Sequence, residues 1–559
     1  MRSLSPWSLP HAGRRAWLAL GIAALSISVV VPARSQDPPP PAAAAAEMTR
    51  TIDSLVEKRW KESGVTPTPG VDDAGFARRV YLDLAGRIPT PVELAAFVAD
   101  TSTGKRAALV DKLLASPEYA EHLRDIFDVV FMGRGEGAQP RRRRGGGEVQ
   151  NARAQWLDYL EQSFAQNRPW SQVVSDLLLA RPAGDAERGA VWFLYARQEK
   201  FQDIAEAISP AVFGLQIQCA QCHDHPIAPE IKQAHYWGLV AFFNRSKNQN
   251  TPQGPRVAES AIGGFSQFAT LFGESKPAQL TFLGTDPLPE DRPAPDVKEM
   301  DSPELYRPKP ETAPKEEPPV PKFSRRELFV ERVVQGNPLV ARAAVNRFWA
   351  LLMGRGLVHP VDKMDSVHKP SHPELLDWLA ADFEKSGYDV KRLVRSIVLS
   401  RPYQLQAKAT GTVQPDLFAY GVEKPLTAEM LYRSLMVATS GNTEADNGEL
   451  LQSLVKVFPD VFAEENIATL RQAMFLTNNP TIQKLVQPHS GSTAEKLAAI
   501  ADPAQRVKEA FRIAYAREPD AEELKQATAY LQARADRPKE ATSQLWWALL
   551  TGAEFRFNH

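Results

Sequence analysis

Both cysteines of this 559-residue chain fall within one pentapeptide, Cys219-Ala220-Gln221-Cys222-His223. The remainder has no disulfide framework and must hold itself together by burying apolar surface. The pentapeptide is also the C-x-x-C-H pattern by which a c-type haem is attached. Two thiols three positions apart can each form a thioether with one vinyl group of the same porphyrin. The adjacent imidazole then reaches the iron from the proximal side. Cys219 and Cys222 are therefore the candidate cofactor-binding residues, His223 the candidate iron ligand, and covalent haem c the expected cofactor. Two other readings of these residues stay open. A zinc site could use Cys219, Cys222, His223 and His225, although four ligands within seven residues strain a tetrahedral closure. A thioredoxin-type redox pair would need a βαβ setting, which the helical pattern around the motif does not supply.

The N-terminus has the layout of a secretory signal. Arg2, Arg14 and Arg15 are followed by an apolar run from Ala16 to Val31 and a small-residue exit at Ala33-Arg34-Ser35. The run is short against the roughly 20 residues of a membrane span, and an uncleaved anchor is the alternative. The expected location is periplasmic or otherwise outside the cytoplasm. No other stretch is apolar enough to cross a bilayer. Sixty-six basic residues balance 67 acidic ones, so no global field favours nucleic acid.

The pattern predicts a mainly α fold: two helical domains joined by a long proline-rich segment. Residues 1–35 are the expected signal and 36–46 a Pro/Ala tether. A first helical domain occupies 47–245, interrupted by a glycine-rich break at 133–147 that contains Arg141-Arg142-Arg143-Arg144 and reads as a solvated loop. Residues 246–323 read as an irregular connector with a short β run at Gln279–Leu283. A second helical domain covers 324–559.

Two internal echoes run through the helices. Arg87 to Leu94 and Arg517 to Leu524 share the pattern R-x-P-x-x-x-E-L, each reading as a helix start. Lys105 to Tyr119 and Lys391 to Tyr403 share an amphipathic run ending at serine, proline and tyrosine. These are packing units.

Around the motif, Ser209-Pro210 reads as a helix start, with a helix from Ala211 into Cys222. Tyr236 to Phe243 form an aromatic helix suited to cover a porphyrin face or to pack in the core. His235, His368, His372 and Met364 are the distal-ligand candidates, and none is assigned. His225 is too close to His223 to reach the opposite face. Ser371-His372-Pro373-Glu374 reads as a capping box opening the next helix.

At this point the residues support a resemblance. Gly214 to Pro226 resembles the core of the planctomycete cytochrome-c-like domain of unknown function, and Arg79 to Thr90 resembles its N-terminal signature. Asn337–Arg342, Val345–Trp349, Gly354–Val358 with Pro360–Asp362, Pro370–Asp377, Trp547–Leu550 and Glu554–Asn558 resemble the planctomycete-specific domain that usually follows. Two departures stand out: Ile227-Ala228-Pro229, where that family often has an aromatic-acidic pair, and the arginine-rich insert. The resemblance implies an exported protein with a cytochrome-like motif, commonly encoded beside an exported sulfatase-like protein. It assigns no reaction. The leading expectation is one-electron transfer to an unknown partner oxidoreductase. The alternatives are a non-haem zinc site in a helical enzyme and a surface scaffold presenting Asn346-Arg347-Phe348-Trp349. Enzyme activity has no independent support, since no serine elbow, phosphate loop or HExxH motif occurs.

Overall fold

The computed structural model describes residues 41–134, 146–294, 296–309, 317–407, 413–441, 448–458, 461–462 and 469–559. The expected signal at 1–35 and the arginines at 141–144 lie outside the described residues. The fold is mainly α, with two-stranded antiparallel pairs as its β structure among the described residues.

A chain with 45 prolines can be this helical because many of them start helices. Thr90-Pro91, Ser116-Pro117, Asn337-Pro338, Asn479-Pro480 and Asp502-Pro503 each place a side-chain cap before a proline at the first helical position. That proline's missing N–H costs nothing there, and its fixed φ suits the helix. The expected tether at 36–46 is corrected in part, because residues 41–46 already belong to the helix Pro41–Glu62. Alanine is the best helix former, and Met48, Ile52, Val56 and Trp60 repeat at four-residue spacing on the buried face. The helix is tied down by Ser396, whose Oγ donates to the Ala45 carbonyl at 3.2 Å.

Both echoes have structural counterparts. Arg87 holds Glu93 through two hydrogen bonds of 2.8 and 2.9 Å, and Arg517 holds Glu523 through two of 2.7 and 2.8 Å. Each glutamate closes a capping box, with Thr90 and Asp520 respectively. Each arginine then reaches a further carboxylate, Glu118 or Glu554. The helices of the second echo, Lys105–Leu114 and Val390–Val398, are linked by Arg395 and Asp111 at 2.6 Å.

The two sequence segments share one core. Phe127 and Trp170 from the first meet Phe348 from the second, at centroid distances of 5.3 and 5.7 Å. Asn346, Arg347, Phe348 and Trp349 are all buried, so this block is interior and is not the partner surface of the scaffold reading. A second core gathers Leu82 and Ile88 with apolar residues from 426 to 555. The helix Asp73–Ala85 joins the two cores. Its Asp83, buried, accepts from Tyr403 Oη at 2.8 Å and Asn558 Nδ2 at 2.8 Å, and pairs with Lys424.

The expected connector is part of this body. Its hairpins are β1 (Ser246–Thr251) with β2 (Gly254–Glu259), and β3 (Gln267–Ala269) with β4 (Ser275–Pro277). The expected strand at 279–283 is corrected to a single bridge between Leu280 and Leu288. Phe282 instead packs on Phe213 at 4.8 Å. Glu259, buried at the end of β2, accepts from Ser324 Oγ at 2.7 Å and Arg325 N at 2.6 Å, and faces Arg181 and the buried Arg326. Removing one member of a buried pair leaves the other uncompensated. Glu259→Gln should therefore lower stability by about 3 kcal/mol, read as a fall in thermal midpoint. An unchanged midpoint would show that Arg326 does not rely on Glu259.

Candidate functional site

The segment carrying the two thiols is built on a broken helix. The helix Phe201–Ile208 widens into a π turn over Ser209–Phe213. Pro210 has no N–H to give to the ladder, and the wider turn accommodates it. Gly214 then takes φ +67° and ends the helix. A Cβ at this glycine would lie 2.7 Å from Met364 Sδ, while Met364 N donates to the Gly214 carbonyl at 2.8 Å. The expected continuous helix from Ala211 to Cys222 is thus corrected. Ser209 is likewise no N-cap; its Oγ donates to the Leu215 carbonyl at 2.8 Å.

After this break a 3₁₀ turn, Gln218–Gln221, presents the motif. Ile217 and Ala220 are buried and anchor it, while Cys219 and Cys222 are free and exposed. His223 Nδ1 lies 2.6 Å from the Asp224 carbonyl. That contact requires Nδ1 to carry the proton, leaving the Nε2 lone pair free for a metal. The Asp224 carboxylate accepts from Gln233 N at 2.9 Å and pairs with Lys232 at 3.3 Å. Burial opposes its ionisation, but the Gln233 amide and Lys232 ammonium hold it below the usual carboxylate range. The Gln221 carbonyl accepts from both Trp237 Nε1 at 3.0 Å and Gln233 Nε2 at 3.3 Å.

The aromatic helix, Gln233–Phe243, is mainly core: Phe242 and Phe243 pack on Phe329 at 4.9 and 5.3 Å. Gln233 and Trp237 are members of it that reach the motif.

The remaining candidates separate clearly. His225 Nδ1 accepts from Ala228 N at 3.0 Å and shapes the following turn. His235 Nδ1 accepts from Lys232 N at 3.1 Å. Met364 packs on Gly214. His368 Nδ1 lies 2.8 Å from Asp365, on a loop that Glu230 pins through Ser366 N and Oγ, both at 2.6 Å. The fold therefore brings the Met364–His368 loop beside the motif segment. His372 is elsewhere, buried with its ring 5.5 Å from Phe418. Its expected capping box does not form: the helix Pro373–Lys385 has His372, not Ser371, at its N-cap and no side-chain cap, while Ser371 N and Oγ both donate to the Leu357 carbonyl, at 2.8 and 3.2 Å.

Gln233 and Glu230 carried no sequence signal. Gln233 Nε2 donates to the Gln221 and Ala269 carbonyls and Glu230 accepts from Ser366, all at least 12 residues away in the chain. Trp237 could have been singled out only as one aromatic among several. The donor set fits a c-type haem: two accessible thiols on one turn and an imidazole with Nδ1 engaged. Among the described residues, no group of three or more His, Cys, Asp or Glu side chains is arranged to hold a metal ion. Cys219, Cys222, His223 and His225 are accordingly not gathered as a zinc tetrahedron. No helix among the described residues is long and apolar enough to cross a membrane.

Buried His372, like buried His122, is expected to cost the fold stability in acid. Burial, and then Arg59, lower its titration from 6.5 to about 4. The unfolded chain takes up the proton first as pH falls, so stability is lost between about pH 6.5 and pH 4. His372→Gln should remove that part of the acid loss, about 3 kcal/mol, in unfolding measured across this window. A variant with the same pH slope would place the acid sensitivity elsewhere.

Comparison with known families matches two segments of the chain. Residues 51–248 match PSCyt2, described as a protein of unknown function (DUF1549), and residues 324–457 match PSD1, a protein of unknown function (DUF1553). No curated protein and no solved structure matches the chain. The chain thus carries a DUF1549 domain followed by a DUF1553 domain.

Proposed function

We propose that this protein is an exported c-type cytochrome-like electron carrier, with haem held covalently at Cys219 and Cys222 and ligated by His223. The observation that carries the reading is the geometry of the turn: both thiols are free and exposed on it, and the His223 ring beside them has its Nδ1 committed to the Asp224 carbonyl. Bound haem would supply one-electron chemistry at its iron.

The chain's own residues do the rest. Cys219 and Cys222 would provide the two thioether sulfurs. The Asp224 carbonyl fixes the His223 tautomer and raises the basicity of Nε2. Gln233 and Trp237 hold the Gln221 carbonyl, so the turn cannot swing away from the helix behind it. Two exposed thiols also suit attachment from solvent. The N-terminal basic and apolar layout supports export, where an electron partner outside the cytoplasm would be met. That partner is an oxidoreductase of unknown identity, with an exported sulfatase-like neighbour as the candidate the family setting suggests.

Expression with a cytochrome maturation system tests the reading. The expected product shows haem absorbance that survives acid-acetone extraction and a mass increased by one haem. Cys219→Ser and Cys222→Ser should each leave one thioether, and the double variant none. His223→Ala should keep the covalent bonds while changing the reduced spectrum. A colourless chain at its polypeptide mass would overturn the proposal, and stoichiometric zinc in it would identify the non-haem metal reading instead.

A further inference from the structure

Two loops meet at the attachment turn, and both carry apolar side chains that the fold leaves in water. Gln233 Nε2 donates to the Gln221 carbonyl at 3.3 Å and to the Ala269 carbonyl at 3.0 Å. The tip end of the β3–β4 hairpin, at Ala269 opposite Ser275, is thereby stitched to the last residue of the 3₁₀ turn. Trp237 adds a second stitch. Its Nε1 donates to Gln221, and its ring lies parallel to Phe268 in β3, with 6.2 Å between centroids.

The tip of that hairpin is a formed turn. Thr270 N donates to the Glu274 carbonyl at 2.8 Å, Gly273 N donates to the Thr270 carbonyl at 2.9 Å, and Gly273 takes φ +78°. Turn positions ordinarily carry small or polar residues. Here they hold Leu271, 70% exposed, and Phe272, 96% exposed. Ile227, on the loop that follows His223, is 59% exposed. Covering a leucine, phenylalanine or isoleucine side chain gains about 1.5–3 kcal/mol each, so each of the three favours a cover. The exposed thiols on the adjoining turn identify it as a flat apolar macrocycle fixed at Cys219 and Cys222.

We propose that Leu271 and Phe272, with Ile227, form the apolar wall against which the porphyrin packs, an assignment that rests on haem attachment at the motif. Excluding water from one side of the macrocycle disfavours the more highly charged ferric state, so the wall raises the reduction potential.

Hydroxyl-radical footprinting of the full chain tests this. The haem-loaded protein is compared with the Cys219→Ala/Cys222→Ala variant, which can hold no thioether. Oxidation at Ile227, Leu271 and Phe272 should fall several-fold on loading, while exposed Val92, on the helix Pro91–Ala99, serves as the unchanged reference. The Leu271→Ser/Phe272→Ser variant should keep its covalent haem and show a lower reduction potential. Equal oxidation in the two forms, or an unchanged potential in the serine variant, would overturn the wall and leave attachment standing. Protection that appears only when another protein is added would also overturn it, making the tip a docking surface. Failure to attach haem at all would remove the underlying function and the wall together.

Discussion

The buried guanidinium of Arg347 holds the attachment segment in place. It donates to the carbonyls of Ala211 at 2.9 Å and Pro210 at 2.7 Å, and pairs with Asp362 at 2.6 Å. Those carbonyls belong to the π turn that Pro210 sits in, just before the chain breaks at Gly214. The Pro210 carbonyl also accepts from Gly214 N at 3.1 Å; a buried carbonyl without a donor costs about 1–3 kcal/mol, so the Ala211 carbonyl is where the broken helix draws on a cation from the second sequence segment. Once Arg347 is seated, Gly214 lies against Met364, and the next residues have one direction in which to leave. The 3₁₀ turn with its two thiols is the result. The site is therefore a product of both families' segments, although all of its expected haem-binding atoms lie in the first.

The same device recurs where a disulfide could otherwise serve. Asp83 gathers Tyr403, Lys424 and Asn558, drawing the start, middle and end of the chain to one buried carboxylate. Glu259 gathers Ser324 and the helix start at Arg325, and Glu290 faces the Arg325 side chain. Desolvating such groups is costly, and their net contribution to stability is small, but losing one partner is strongly destabilising. Their effect is to select which segments meet. With both cysteines reserved for the motif, charged and hydrogen-bonded nodes do this selecting, while the shared aromatic core supplies the driving force.

Local chemistry was legible wherever a residue acts on its neighbours. The R-x-P-x-x-x-E-L echo could be read as two helix starts because arginine, cap and glutamate lie within seven residues, and both form the same ion pair. Helical patterning was readable for the same reason. Expectations failed where a distant group intervened. Ser371-His372-Pro373-Glu374 has the residues of a capping box, but the Leu357 carbonyl takes the serine hydroxyl. Ser209-Pro210 has the residues of a helix start, yet the preceding helix runs into it as a π turn, with Arg347 and the Gly214 N–H donating to its carbonyls. The alanines at 42–46 read as a tether until Ser396 supplied a partner for Ala45.

The sequence by itself determined the chemistry available at the motif: two thiols and an imidazole at the spacing of a c-type attachment, in a mainly helical chain. Covalent order along the backbone sets that spacing, and no folding is needed to know it. Tertiary structure alone decided that the thiols stand exposed and that an apolar hairpin tip is tied to their turn. Those outcomes depend on carbonyls and rings up to 137 residues apart, and a linear pattern does not record which of them meet.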